Sequence, residues 1–276
     1  MIATFSPKRL MWIALFVLAT GLAPLATAMQ EVVGDEPPNA NAAVFPLLQD
    51  LDGDDLAARL AAVMAMRELG PVAWPAVPAL IEALSDPIVG IRKGAAGALG
   101  GIGQAAVSAV PELARALGDP HRFVRSWAAM ALYEIGPAAE PVAADLVHML
   151  ETDAGNLRGR AWCASALPEI RVRPDLAVPA LIRALEEDAS EEVRSVAVLS
   201  LERYGLEAAR RGATRSLMDA LLDPHWKVRG NAACALPEMG SAAEVAVSRL
   251  EVARLDDTEY VRNCAIRSLS KLGLRD

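Results

Sequence analysis

The chain has 276 residues, a formal charge of −8 and a composition that is 53% hydrophobic but only 4% aromatic. So few large rings argue against one large globular core, and an Ala-rich sequence suits close helix–helix packing repeated many times. The acidic balance excludes a general binder of nucleic acid or of anionic membrane, which needs a positive footprint.

Lys8 and Arg9 precede an apolar run from Leu10 to Ala26, and Ala26-Thr27-Ala28 places small residues at the spacing of a cleavage site. This three-part layout predicts a secretory signal peptide over residues 1–28, cut after Ala28, and a periplasmic or extracellular destination. The rival is an uncleaved anchor, since the run approaches the ~20 residues that span a bilayer. Only in that case is a membrane a partner. Removal of the segment takes the formal charge from −8 to −10, because it holds Lys8 and Arg9 and no acid. Residues 29–43 contain Gly34, Pro37, Pro38, Asn39 and Asn41 without periodicity and read as a flexible linker.

From residue 44 onward the chain repeats. Asp86-Pro87 through Gly103, Asp119-Pro120 through Gly136 and Asp223-Pro224 through Gly240 share one pattern. In it Asp is read as an N-cap, Pro as the first helical residue and the closing Gly as a left-handed stop. Val124, Ala128, Ala131, Leu132 and Ile135 recur at helical spacing between these signals. Aligned on one Arg per helix (Arg59, Arg92, Arg125, Arg160, Arg194, Arg229, Arg262), the units step by 33, 33, 35, 34, 35 and 33 residues. A shorter apolar helix precedes each, as in Pro78–Leu84, Pro111–Leu117 and Pro179–Leu185. Such hairpins bury their apolar faces only by stacking on their neighbours, so residues 44–276 are predicted to form one domain of seven stacked helical hairpins.

The combination Asp-Pro, then Val/Ile-Arg, then Ala-Ala-x-Ala-Leu resembles HEAT repeats of the short bacterial kind, similar to those of phycobilin lyases. The resemblance implies an all-α, right-handed solenoid whose second helices line a concave face where ligands lie. It also implies a polar ladder between neighbouring repeats, expected here as Asp86/Arg92, Asp119/Arg125, Asp188/Arg194, Asp223/Arg229 and Asp256/Arg262. Gly53 and Ala154 occupy the Asp position in repeats one and four, with Asp52 or Asp54 and Asp153 as substitutes. Gly159 also replaces the buried Val/Ile of repeat four.

No constellation points to a catalytic, cofactor or metal site. His121 and His225 occupy equivalent turns three repeats apart, roughly 30 Å for helices spaced 8–10 Å, and His148 falls on the other layer. Cys163, Cys234 and Cys264 lie in the Ala-rich helices as small packing residues. Cys234 and Cys264 are in neighbouring units, and the sequence leaves their pairing open. Gly97, Gly100, Gly101 and Gly103 lack the Gly-Lys-Ser/Thr of a phosphate loop and suit close helix contact instead.

Counting from each ladder Arg, the first, fifth, eighth and ninth following residues are expected on the surface of the second helices. Lys93, Ser126, Ser195 and Asn263 form the first row, and Met64, Met130, Ser165 and Leu199 the next. Met130 and Tyr133 are the expected anchors, as Met and aromatic side chains are favoured at contacts. Trp127 and Trp162, at one wheel position in adjacent repeats, either join Leu199 and these anchors in a binding surface or seal the seam between repeats. Pro168 and Pro237 are expected to bend or end their helices. The function expected is a non-enzymatic, exported scaffold that binds another protein. The alternatives are an accessory, lyase-like chaperone for a pigment or cofactor, and a structural component of the envelope.

Overall fold

In a computed structural model, residues 40–273 are described, and the signal-peptide segment lies outside them. Helices α1 (Ala40–Asp52) and α2 (Leu56–Leu69) form the first hairpin. They are followed by α3 (Val77–Ala83), α4 (Val89–Ile102), α5 (Val110–Ala116), α6 (Arg122–Ile135), α7 (Ala143–Thr152) and α8 (Leu157–Glu169). The last three hairpins use α9 (Pro174–Glu187), α10 (Glu191–Tyr204), a single turn α11 (Leu206–Ala209), α12 (Ala213–Ala220), α13 (Trp226–Ala235), α14 (Val247–Ala253) and α15 (Glu259–Lys271). The first helix starts at Ala40, so it takes in the last four residues of the predicted linker.

The second helices α2, α4, α6, α8, α10, α13 and α15 pack one on the next along the whole array. The other layer alternates first helices with 3₁₀ segments such as Gly70–Ala76, Gly103–Ala109 and Gly136–Val142, which apolar periodicity alone does not reveal. One apolar core runs from Val44 to Leu269, built mainly of Ala, Leu and Val. The chain is an all-α solenoid.

Three local expectations need correction. The Asp of each Asp-Pro pair is not the N-cap, and its Pro precedes the helix instead of opening it: His121 caps α6 and His225 caps α13, each through its side chain, while the Asp forms a turn. Asp119 accepts from the His121 N–H at 2.7 Å, and Asp86, Asp188, Asp223 and Asp256 do the same two residues onward. The closing Gly136 has φ +77° but ψ −145°, a conformation outside the left-handed helical region that only glycine adopts at low cost. Its exit angle feeds the 3₁₀ segment. As expected, the prolines cut helices short, α8 ending one residue past Pro168 and α13 giving way to 3₁₀ structure over Leu236–Ala246.

The ladder runs between repeats in a register different from the one expected. Arg92, Arg125, Arg160, Arg194 and Arg229 each place Nε 2.6–2.7 Å and Nη2 2.8–3.1 Å from the carboxylate of the following repeat, namely Asp119, Asp153, Asp188, Asp223 and Asp256. Arg59 pairs likewise with Asp86. The Asp six residues before each Arg supplies only its backbone carbonyl, as Asp119 O does to Arg125 Nη1 at 2.8 Å. The i−6 pairs are therefore not carboxylate pairs. A side chain pointing back along its own turn reaches the carbonyl, and the planar fork is left to face the next unit. Asp153 substitutes in repeat four as expected, with Asn156 filling the space beside Gly159 and donating to Asp153 at 3.0 Å.

Four ladder carboxylates, those of Asp119, Asp153, Asp223 and Asp256, sit below their ordinary range. At Asp119, Asp153 and Asp223 burial opposes ionisation, but the Arg hydrogen bond with the remaining donors and charges outweighs it. At Asp256 the Arg229 hydrogen bond leads, and the carboxyl titrates at about 2. Lowered folded values mean stability that is complete above the unfolded value near 4 and lost as pH falls toward 2. The urea midpoint followed by circular dichroism is expected to drop steeply between pH 4 and pH 2; a midpoint unchanged over that interval contradicts the ladder.

Cys234 and Cys264 form a disulfide between α13 and α15, with Cα atoms 4.9 Å apart across 30 residues of sequence. Closing a loop of that size stabilises by roughly 3.6 kcal/mol in the chain-entropy model. Reduction is expected to raise proteolysis and hydrogen exchange in repeats six and seven while repeats two to four keep their protection. Uniform loosening along the chain would contradict a local staple.

Candidate interaction groove

The surface of the second helices departs from the wheel in one row. Ser126 and Ser195 are buried, because the first position after the ladder Arg faces the following repeat. There Ser126 donates to Asn156 Oδ1 at 2.8 Å, and Ser195 accepts from Asn231 at 2.9 Å. Lys93 and Asn263 in the same row are exposed. The fifth position behaves as expected: Met64 and Leu199 are 66% and 44% exposed, and Met130 and Ser165 are half-buried.

A groove of about 450 Å³ runs over α6, α8 and α10. Trp127, Met130, Trp162 and Ser165 line it, with Ala161 and Val196 on its floor and walls and Arg158 and Glu192 at its polar edge. Three of the five expected contact residues, Trp127, Met130 and Trp162, are thus brought together. Tyr133 instead braces the groove from beside it, its ring 5.4 Å from that of Trp162, and Leu199 is not among the lining residues. Arg158 and Glu192 were not singled out by the wheel. They lie two residues before Arg160 and Arg194, in the first turns of α8 and α10, and that second row was the available signal.

The glycines of α4 explain how Trp127 is held. A Cβ on Gly97 would lie 3.1 Å from the Trp127 ring and 3.4 Å from Arg67 Cδ, and one on Gly101 would lie 2.8 Å from the Arg67 carbonyl oxygen. Bare backbone at both positions lets Arg67 reach across α4 and set its guanidinium 4.6 Å over the Trp127 ring. One face of that indole is therefore already occupied by a cation, which leaves its other surfaces for the groove. Each tryptophan ring is half-buried against the core and also lines the groove.

Behind the groove, Tyr204 donates its hydroxyl hydrogen toward the carbonyls of Leu167 and Val172, at 3.0 and 2.9 Å. These carbonyls surround the end that Pro168 imposes on α8, where Arg171 has a positive φ of 59°. Cys163 is fully buried below, and burial pushes its thiol far above the ordinary range, so it holds no thiolate for chemistry. A second cleft, of about 340 Å³, lies between repeats four and five beside Ala154 and Ala189. Four of its charged lining residues are already paired, as Arg160–Asp188 and Arg183–Glu151.

The model of the HEAT repeats matches residues 77–168 and 178–270. The chain belongs to the HEAT-repeat family. No curated protein matches it. Among solved structures, the HEAT-repeat chain is similar to an engineered protein at 23% identity and a TM-score of 0.64, covering 83% of this chain and 68% of the other. It is also similar to the complex of CpcE and CpcF of phycocyanin lyase from Nostoc sp. PCC7120, at 21% identity and a TM-score of 0.51, covering 87% and 89%. At these identities the likeness is one of fold.

The α4 glycines give a direct check on the groove's support. Gly101→Ala sets a methyl group against backbone and is expected to destabilise by about 1–3 kcal/mol, with a change in Trp127 emission. Urea unfolding read by fluorescence measures both. A neutral Gly101→Ala would show that α2 and α4 are not so closely packed.

Proposed function

We propose that this HEAT-repeat chain is a non-enzymatic, exported scaffold that binds another protein in the groove over α6, α8 and α10. The observation that carries the reading is the cluster of Trp127, Met130 and Trp162 in one open groove, braced by Arg67 and Tyr133 and edged by Arg158 and Glu192. Aromatic and Met anchors inside a polar rim are the usual anatomy of a protein contact. Arg160 and Asp188, which line the second cleft, hold the ladder, and Cys163 is sealed in the core.

Export is supported by the Lys8/Arg9, apolar, Ala26-Thr27-Ala28 layout of the N-terminal segment. The Cys234–Cys264 disulfide suits an oxidising compartment as well. N-terminal sequencing of the protein recovered from the envelope is expected to begin at Met29; recovery of intact Met1 would favour the anchor.

The binding test is photocrosslinking from position 165 in the envelope, beside Met130→Glu in the same background. One discrete protein adduct is expected, reduced at least about tenfold by the charge placed among the anchors. An adduct of equal yield in both would move the site off the groove. The lyase-like alternative draws on the likeness to the CpcE–CpcF complex and predicts tryptophan quenching by an added phycobilin, which a protein-binding groove does not require.

A further inference from the structure

The ladder has one unfilled rung among the described residues, and the two halves of that rung lie in the first and last repeats. In the six rungs from Arg59 to Arg229, a guanidinium meets an Asp of the following repeat. Arg262 keeps the other half of the arrangement, donating from Nη1 to the Asp256 and Asp257 carbonyls at 2.7 and 2.9 Å. No carboxylate among the described residues meets its Nε and Nη2. Asp52 in repeat one is exposed and lies seven residues before Arg59, the spacing at which Asp153 precedes Arg160 and receives Arg125. No guanidinium among the described residues meets it.

The apolar positions beside these groups are complementary as well. Four residues past the ladder Arg, interior repeats bury Ala96, Ala129, Ala164, Val198 or Ala233, whereas Ile266 is 51% exposed. Two residues past the Arg, Gly94 packs on Val63 of the preceding repeat, a Cβ there falling 2.3 Å from a Val63 methyl. The equivalent residue in repeat one, Ala61, is small and exposed. Ile266 of one copy would face Ala61 of another as Val63 faces Gly94, with the two helices set farther apart because Ala61 carries a Cβ.

We propose that copies of this chain associate head to tail, the Arg262 guanidinium of one taking the Asp52 carboxylate of the next while Ile266 covers Ala61. The planar fork selects a carboxylate with two accessible oxygens, and the small residue opposite Ile266 sets the distance between helices. Such a contact is heterologous, so it extends into open-ended arrays rather than closing as a two-fold dimer. It lies apart from the α6–α10 groove and holds whether or not that groove binds a partner.

Sedimentation velocity of the purified protein over a wide concentration range tests this. The wild type is expected to show oligomers that grow with concentration, and Arg262→Glu and Asp52→Arg are each expected to weaken association more than about tenfold. Mixing the two variants restores opposite charges at both kinds of junction. The altered tail of the first variant meets the altered head of the second, and the unaltered Arg262 and Asp52 still meet at the junctions between. The mixture is therefore expected to reassociate. Ala61→Glu, an exposed substitution, is expected to abolish association by itself and serves if Arg262→Glu loosens the last repeat, which circular dichroism would show. A wild type that stays monomeric overturns the proposal, as does association that survives Asp52→Arg and Ala61→Glu. Failure of two folded variants to rescue each other overturns it too.

Discussion

Everything in this solenoid depends on a guanidinium that holds two repeats at once. Its Nη1 is tied to the carbonyl of its own preceding turn, as in Arg194 to Asp188 O at 2.9 Å, and its fork closes on the next repeat's carboxylate. That carboxylate is in turn oriented by the N–H two residues onward. Turn, helix and neighbour are thereby locked in one register. The apolar core would not achieve this alone, because facing surfaces built of Ala and Leu bury area at many relative offsets with similar gain. Partly buried ion pairs add little net stability against their desolvation, yet they discriminate strongly between registers, since a slip of one turn leaves charges unpaired. The division of labour follows: packing drives the stacking, and the ladder decides where it stops.

A register fixed in this way leaves other positions free to vary, and the groove uses that freedom. Gly97 and Gly101 thin α4 so that Arg67 and Trp127 meet across it, a contact that skips a repeat. Tyr133 and Trp162 then carry the aromatic surface into repeat four. No ladder group changes to make this possible. The same regularity makes the Arg262 fork stand out, because the six filled rungs among the described residues show what such a fork takes.

Much of this was legible in the sequence. The 33–35-residue period identified seven hairpins and their ladder Arg residues, and the Ala-rich spacing located the core. What was not legible came from geometry that spacing leaves undetermined. An Arg whose side chain leaves the helix near a turn has an Asp six residues back and another about 27 residues ahead, and sequence distance favours the nearer one. In three dimensions the nearer Asp offers its carbonyl and the farther one its carboxylate. Likewise, Ser126 and Ser195 are placed on the surface by a wheel drawn for one helix and are buried once a second repeat is laid on it. The 3₁₀ connections carry no apolar period to detect. Asp153, in contrast, was identifiable because it was the one acid adjacent to the missing ladder position.

Repeat four concentrates the departures from the shared pattern. Its ladder acid moves one residue back to Asp153, and Asn156 takes up the room beside Gly159 and caps α8. Pro168 ends the helix early, and Tyr204 of the next repeat donates to the buried carbonyls of Leu167 and Val172. Each departure by itself weakens a stacked array, and each is matched by a compensating hydrogen bond, from Asn156 within the repeat or from Tyr204 in the next one. Such matched pairs are hard to account for by stacking needs alone, since the ordinary pattern serves repeats two and three without them. In a repeat protein the common residues are consumed by the fold, so information about a particular ligand can reside only in what differs between units. That the groove opens over this same repeat, between Trp127 and Val196, is therefore the strongest structural reason to seek the partner there.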